Sequence, residues 1–426
     1  MQTRSSPLIR KVRGADAAAW ARSGVVALTG RPDGPPLVPP GSGAATARVL
    51  AERFADHTIR TGRAVRVDGP RLLSERAAFL GLQRRGRVSA GGACRLLRTA
   101  DGWAAVSCAR PDDPSLLGAL ACAEVTDDPW PAVTAWLRGH TGTELAERAE
   151  LLGVAAGPVR PRPAPPQIPE PLVPRPLDGA LVVDFSALWA GPLCAHLLGL
   201  AGARVVKVEM PSRPDGARRG DPGFYRLLHA GHRSVVVDPS VHAGRRALSA
   251  LVNAADIVIE ASRPRALARF GLDAAEAVDS GTTWVSITAY GRDHDRVGFG
   301  DDVAATSGLV CRESAGGGAP LFCGDALADP LTGLTAAMLA STGPRGGGGV
   351  LWDIAMSDVI AATLGAGTDG VPSLAAVPDG DGWAVDTGDG PPVPVAFPVR
   401  REAAGEASAF GENTREVLGE LGILIP

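Results

Sequence analysis

From Gly179 onward, short apolar runs alternate with stretches whose apolar residues recur at helical spacing. GALVVDFS (179–186) predicts a buried strand, AGPLCAHLLGLAGA (190–203) a helix closed by glycine, and RVVKVE (204–209) a second strand. HRSVVVD, AGRRALSALVNA and ADIVIEAS repeat the unit, and TTWVSITAYG adds another buried strand. Strands separated by helices of this length require right-handed crossovers and a parallel sheet, with any ligand at the carboxyl ends of the strands. The expected fold class is therefore α/β, with a Rossmann-like parallel sheet. Ahead of it, LLRTADGWAAVSC carries an Asp-Gly turn followed by a strand, and DDPWPAVTAWLRGHTGTELAERAELLGV reads as two amphipathic helices. That pattern predicts a smaller α+β domain.

Between the halves, PVRPRPAPPQIPEPLVPRP (158–176) is too rich in proline for a helix or a central strand and suits an extended spacer. The expected division is a first part at 1–157, a linker at 158–176 and a second part at 177–426. A chain of 426 residues is long enough for two cores of ordinary size.

Composition narrows the function classes. Lys and Arg number 43 against 46 Asp and Glu, for a net charge of −3, which argues against a nucleic-acid partner. The six cysteines lie far apart, without CxxC pairs or histidines at ligand spacing, so neither a metal site nor a disulfide framework is expected. The N-terminus has no apolar run of signal length, and no membrane span is expected, which together predict a cytoplasmic protein. Aromatic residues make up only 4% of the chain, so the core is expected to be built from small aliphatic contacts.

One internal repeat is visible. SGVVALTGRPDGPPLV (23–38) and SGLVCRESAGGGAPLF (307–322) share an SG start and a G-x-P-L end at a separation of 284 residues. At that offset Asp329 falls opposite Ala45.

A dinucleotide site is the first reading to test, because the first strand is followed by a turn and a helix. SALWAGPLCAHLLG offers Gly191 alone where G-x-G-x-x-G needs three glycines, and Trp189 would crowd a pyrophosphate. NAD and FAD are disfavoured. The blocks PLDGALVVDFSALWAGPLCAHLLGLAGARVVKVEMPSRPDGARRGDPGFY, AGHRSVVVD, EASRPRALARFGL, TTWVSITAYG and GDALADPLTGLTAAMLA, in that order, resemble the family III CoA-transferases. That family, of the CaiB/BaiF type, includes carnitine-CoA and formyl-CoA transferases and the α-methylacyl-CoA racemases.

The resemblance implies that Asp329, in ADPLTG, is the nucleophile of a transfer of coenzyme A between an acyl-CoA donor and a carboxylic acid acceptor. A carboxylate of ordinary pKa, about 4, is ionised at neutrality and needs no general base. By position alone, Asp329 before Pro330 also suits a helix cap. The resemblance further places the nucleotide of CoA at the turns after the strands, here Trp189, Ala190, His232, Arg233, Arg263 and Arg269, with the arginines suited to phosphate. CoA would be a substrate, and no cofactor or metal is implied.

Several positions depart from the family. His232 stands where it usually has Lys, Met210 where formyl-CoA transferases have Arg, and Trp189 where they have Gln. The racemase Gly-His-Asp motif reads Gly300-Asp301-Asp302, so a racemase would lack its base, and His294 reads as a surface residue. Segments of the first part look like the family's portion after the nucleophile, placed ahead of the Rossmann-like part, and GENTREVLGELGI resembles its closing helix. The expected architecture is a rearranged two-part form, a homodimer, interlocked as in the family, or a pseudo-dimer within one chain. The alternative is a catalytically degenerate CoA-binding homologue or partner subunit.

Overall fold

A computed structural model describes residues 7–125, 127–160, 166–262, 265–313, 318–365, 371–388 and 390–423. The predicted Arg263 lies outside these residues. The central element is a six-stranded parallel sheet of β1 (Leu181–Asp184), β2 (Arg204–Glu209), β3 (Arg233–Val236), β4 (Ile257–Glu260), β5 (Thr283–Thr288) and β6 (Val350–Ala355), in the order 6-5-4-1-2-3. Every pairing is parallel, as between Val182 and both Val205 and Ile257. This is the dinucleotide-fold strand order, whose direction reverses between β1 and β4, and the crevice above that point is where such sheets take ligands. β1, β4 and β5 are buried along their whole length, as strands covered on both faces must be.

Four helices frame that crevice or its back: α1 (Gly43–Thr61), α2 (Ala190–Leu200), α3 (Gly300–Thr306) and α4 (Ala328–Ala340). α4 packs along α2 and also along α1. Small residues make the first contact possible: a Cβ on Gly333 would lie 2.7 Å from the Ala190 carbonyl oxygen and 3.0 Å from the Leu193 Cβ. The second contact joins the two copies of the repeat. His57 in α1 and Ser341 at the end of α4, 284 residues apart, meet through Nδ1 and Oγ at 2.8 Å. They are equivalent positions of the two copies, and a residue touching its own equivalent is what a local two-fold axis produces.

Residues 7–80 therefore do not stand apart. Trp20, Phe54 and Leu73 share one apolar core with Leu193, Leu331 and Ile360. The smaller unit is the antiparallel sheet of Cys94–Arg98, Trp103–Ser107 and Ala156–Pro158, covered by helices Asp113–Ala121, Trp130–Leu137 and Gly142–Leu152. It has its own core around Leu117, Val133 and Leu145. In the proline-rich stretch, Val173–Pro174 form a two-residue edge pairing with Thr342–Gly343. The closing helix, Thr414–Glu420, lies against β3, where the Val236 N–H donates to Thr414 Oγ1.

Candidate active site

Asp329 occupies the first turn of α4, at the crevice where the strand order reverses. The backbone N–H of Ala190, the first residue of α2, lies close enough to the Asp329 carboxylate to favour the charged form. The free N–H groups and positive end of a helix at this point favour an anion. The chain reaches Ala190 through a constrained turn. Leu188 has φ 70°, its N–H is held at 3.0 Å by Asp215, and Gly191 leaves no room for a Cβ, which would lie 2.1 Å from that of Ser186. On the Asp329 side Ala326 has φ 45° and its carbonyl accepts the Asp329 N–H at 2.9 Å. Non-glycine residues at positive φ cost free energy that the surroundings must supply, and here they stand on both sides of one carboxylate.

A second layer of acids surrounds Asp329. Asp301, in α3, accepts the Ala326 N–H at 2.9 Å and has the Ser89 hydroxyl nearby. Asp325 is wholly buried and paired bidentately with Arg76, Nε at 2.9 Å and Nη2 at 2.5 Å. The Arg76 guanidinium also lies over the Trp189 ring, 5.4 Å from its centre. Gly300 closes the remaining side: a Cβ there would fall 2.1 Å from Asp329 Oδ2. Arg76 and Ser89 come from the first part of the chain, so the site draws on both parts.

These neighbours set the ionisation of the site. Asp329 is pushed up to about 7, first by burial and then by Asp301 and Asp325, with Arg76 and the Ala190 N–H pulling it down. Its surface is not fully closed, since the residue stays partly exposed even though protein crowds the carboxylate on most sides. The sequence expectation of an ordinary, fully ionised aspartate is corrected: near neutrality about half of the groups carry a proton. Asp301 is raised to about 6, by burial and by Asp325. Asp302, which accepts the Ser107 hydroxyl at 2.7 Å and the Phe299 N–H at 3.0 Å, is raised by burial to about 7. Arg76 is held protonated against its own burial by Asp325, Asp301 and Asp329.

The residues expected for the coenzyme are scattered. Ala190 meets Asp329 through its backbone. Trp189 is 2% exposed, its ring against Arg76 and edge-on to Phe224, with no partner for Nε1. His232 is 5% exposed, packed on Gly199 and His229, and burial followed by Lys207 lowers it to about 3. Arg233 is tied to Glu420 at 2.7 Å. Arg269 is exposed at the surface, and so is His294. An open cleft of about 420 Å³ lies beyond β2, lined by Arg218, Tyr225, Arg226, Glu406 and their neighbours, and none of the predicted coenzyme residues lines it. Among the described residues there is no group of acids, histidines or cysteines able to hold a metal, and no helix long and apolar enough to cross a membrane.

Sequence reasoning did not find Arg76, Asp325 or Asp301 as members of the site. Arg76 and Asp325 are 249 residues apart, and no spacing rule links them. The available signal was weaker: Asp325 and Asp329 are four residues apart around a helix start, in GDALADPLTG.

Residues 177–370 match the family model described as CoA-transferase family III. A succinate–glutarate CoA-transferase of Agrobacterium fabrum is 31% identical over 213 residues, covering 44% of this chain and 53% of that protein. A succinyl-CoA–D-citramalate CoA-transferase of Chloroflexus aurantiacus is 29% identical over 207 residues, covering 45% and 52%. A solved CAIB/BAIF family protein from Brucella suis is 25% identical with a TM-score of 0.43, covering 50% of this chain and 66% of that one. The chain spans about half the length of the curated relatives it matches. The resemblance to the family III CoA-transferases holds over residues 177–370.

Proposed function

We propose that the protein transfers coenzyme A between an acyl-CoA donor and a carboxylic acid acceptor, with Asp329 as nucleophile and CoA as substrate. The observation that carries this is Asp329, a partly exposed residue in the first turn of α4, whose carboxylate lies beside the Ala190 N–H at the start of α2. The ionised carboxylate attacks the thioester carbonyl and expels CoA thiolate, leaving a mixed anhydride. The thiolate then attacks the Asp329 acyl carbon, releasing the donor's acid and forming an aspartyl thioester. The acceptor carboxylate reverses both steps and leaves as its own CoA ester. An oxyanion forms at each attack, and backbone donors that steady such a charge are worth about 3 kcal/mol each in acyl-transfer enzymes.

The acyl-CoA and the acid are the small-molecule partners of this reading, and the cytoplasm is its compartment. The contact between α1 and α4 supports a pseudo-dimer within one chain, in which Ala45 leaves the first copy without a nucleophile. The test is a panel of acyl-CoA and acid pairs followed by mass spectrometry, with Asp329→Ala and hydroxylamine trapping beside the unmodified protein. Transfer that survives Asp329→Ala sinks the reading. The covered positions of Trp189 and His232 favour a second reading, a CoA-binding homologue without turnover. Calorimetry with CoA separates the two, because binding without exchange supports the second.

A further inference from the structure

We propose that Arg76 is the docking cation for the reacting carboxylate, receiving the acceptor acid through its free Nη1 edge and fixing that acid's oxygens beside Asp329. This inference rests on the transferase reading above. The guanidinium is fixed on one side only. Nε and Nη2 bind Asp325 at 2.9 and 2.5 Å, while Nη1 makes no hydrogen bond to the described residues. The asymmetry shows in exposure as well, since the Asp325 side chain is 0% exposed and that of Arg76 26%. An arginine fork that spends one edge on a buried carboxylate keeps a second, pre-aimed edge for another.

Position and charge point the same way. Arg76 rests over the Trp189 ring, and the N–H of the next residue, Ala190, lies beside the Asp329 carboxylate. Gly91 packs against the bound edge, where a Cβ would stand 3.4 Å from Nη2 and 3.8 Å from Asp325 Oδ1, so the edge that remains for a ligand is the Nη1 side. Asp301, Asp325 and Asp329 gather at this place, and a free carboxylate entering such a field is repelled unless a cation meets it. The donor's acid departs as the same kind of anion, so one guanidinium serves the first and the last step of the exchange.

The experiment uses the donor and acceptor pair that the unmodified protein turns over best, and compares it with Arg76→Lys, Arg76→Met and the double variant Arg76→Met/Asp325→Asn. The double variant removes both members of the buried pair and guards against simple misfolding. The expected result is a rise of about tenfold or more in the KM for the acid in Arg76→Met and in the double variant, with the KM for the acyl-CoA held within about twofold. Arg76→Lys, which keeps the charge and loses the fork, should fall between. A folded variant lacking Arg76 whose acid KM is unchanged, or whose two KM values rise together, overturns the inference. Absence of transfer by the unmodified protein would instead refute the transferase reading itself.

Discussion

Replacing Gly300 by alanine tests the geometry around Asp329 with one methyl group. The added Cβ would lie 2.1 Å from Asp329 Oδ2 and 2.7 Å from both the Ala326 Cβ and the Ala326 carbonyl oxygen. Carbon and oxygen need about 3 Å or more, so the carboxylate must retreat by about 1 Å, carrying with it the bond to the Ala190 N–H. Overpacking of this kind costs about 1–3 kcal/mol, against which alanine at the start of α3 returns about 1 kcal/mol of helix propensity. The fold should therefore survive. Activity should not, because a misplacement of about 1 Å at a reacting group costs about 100-fold in rate. Initial rates and thermal melts of Gly300→Ala would be set beside Gly405→Ala, where a Cβ meets nothing within 4 Å. A Gly300→Ala protein within about threefold of full activity would show that Asp329 is not held where the structure puts it.

Because attack needs the ionised form of Asp329, the transfer rate should climb as pH rises through about 7; a rate flat between pH 5 and 8 would contradict the crowding of that carboxyl. Asp301, Asp302 and Asp329 all have folded-state values raised, to about 6, 7 and 7. Their neutral forms thus favour the fold fully below about pH 4, and that contribution fades as pH rises through 6 to 7. Asp302→Asn should accordingly flatten the fall in melting temperature between pH 5 and 8, the full effect of one such group being about 4 kcal/mol. Arg76→Met alone should destabilise by about 3–5 kcal/mol by leaving the buried Asp325 charge unpaired, Asp325→Asn should cost less because Asp301 and Asp329 still face the guanidinium, and the double variant should recover most of the first loss. Denaturant titration of the cycle decides this, and strictly additive losses would mean that the pair is not coupled.

Where the pattern was strongest, sequence and structure coincide: RVVKVE is strand Arg204–Glu209, and the helix expected from Ala190 begins there. Strand β6 was not read because VLWDIA, with its charged Asp353 and four preceding glycines, lacks the continuous apolar run of its neighbours. Helix α1 was not read either, since GAATARVLAERFADHTIRT scatters arginines and acids through a small-residue face that α4 and the helices Pro7–Arg22 and Gly69–Leu72 cover. Asp329 was singled out through its resemblance to a known motif, but its ionisation was not legible. That depends on Asp301, Asp325 and Arg76, which tertiary packing alone assembles. The same limit applies to Trp189 and His232, whose turn positions suggested access while the folded chain covers them.

The meeting of His57 with Ser341 has a consequence for how this molecule can evolve and be counted. In an assembly of identical subunits, every substitution appears on both sides of the axis at once. On the pseudo-dimer reading the two sides are encoded separately, so Ala45 in the first copy can stand opposite Asp329 in the second while Arg76 of the first part reaches the Asp329 side. Titration with a thioester should then label each polypeptide once, without the half-filled intermediates of a symmetric pair.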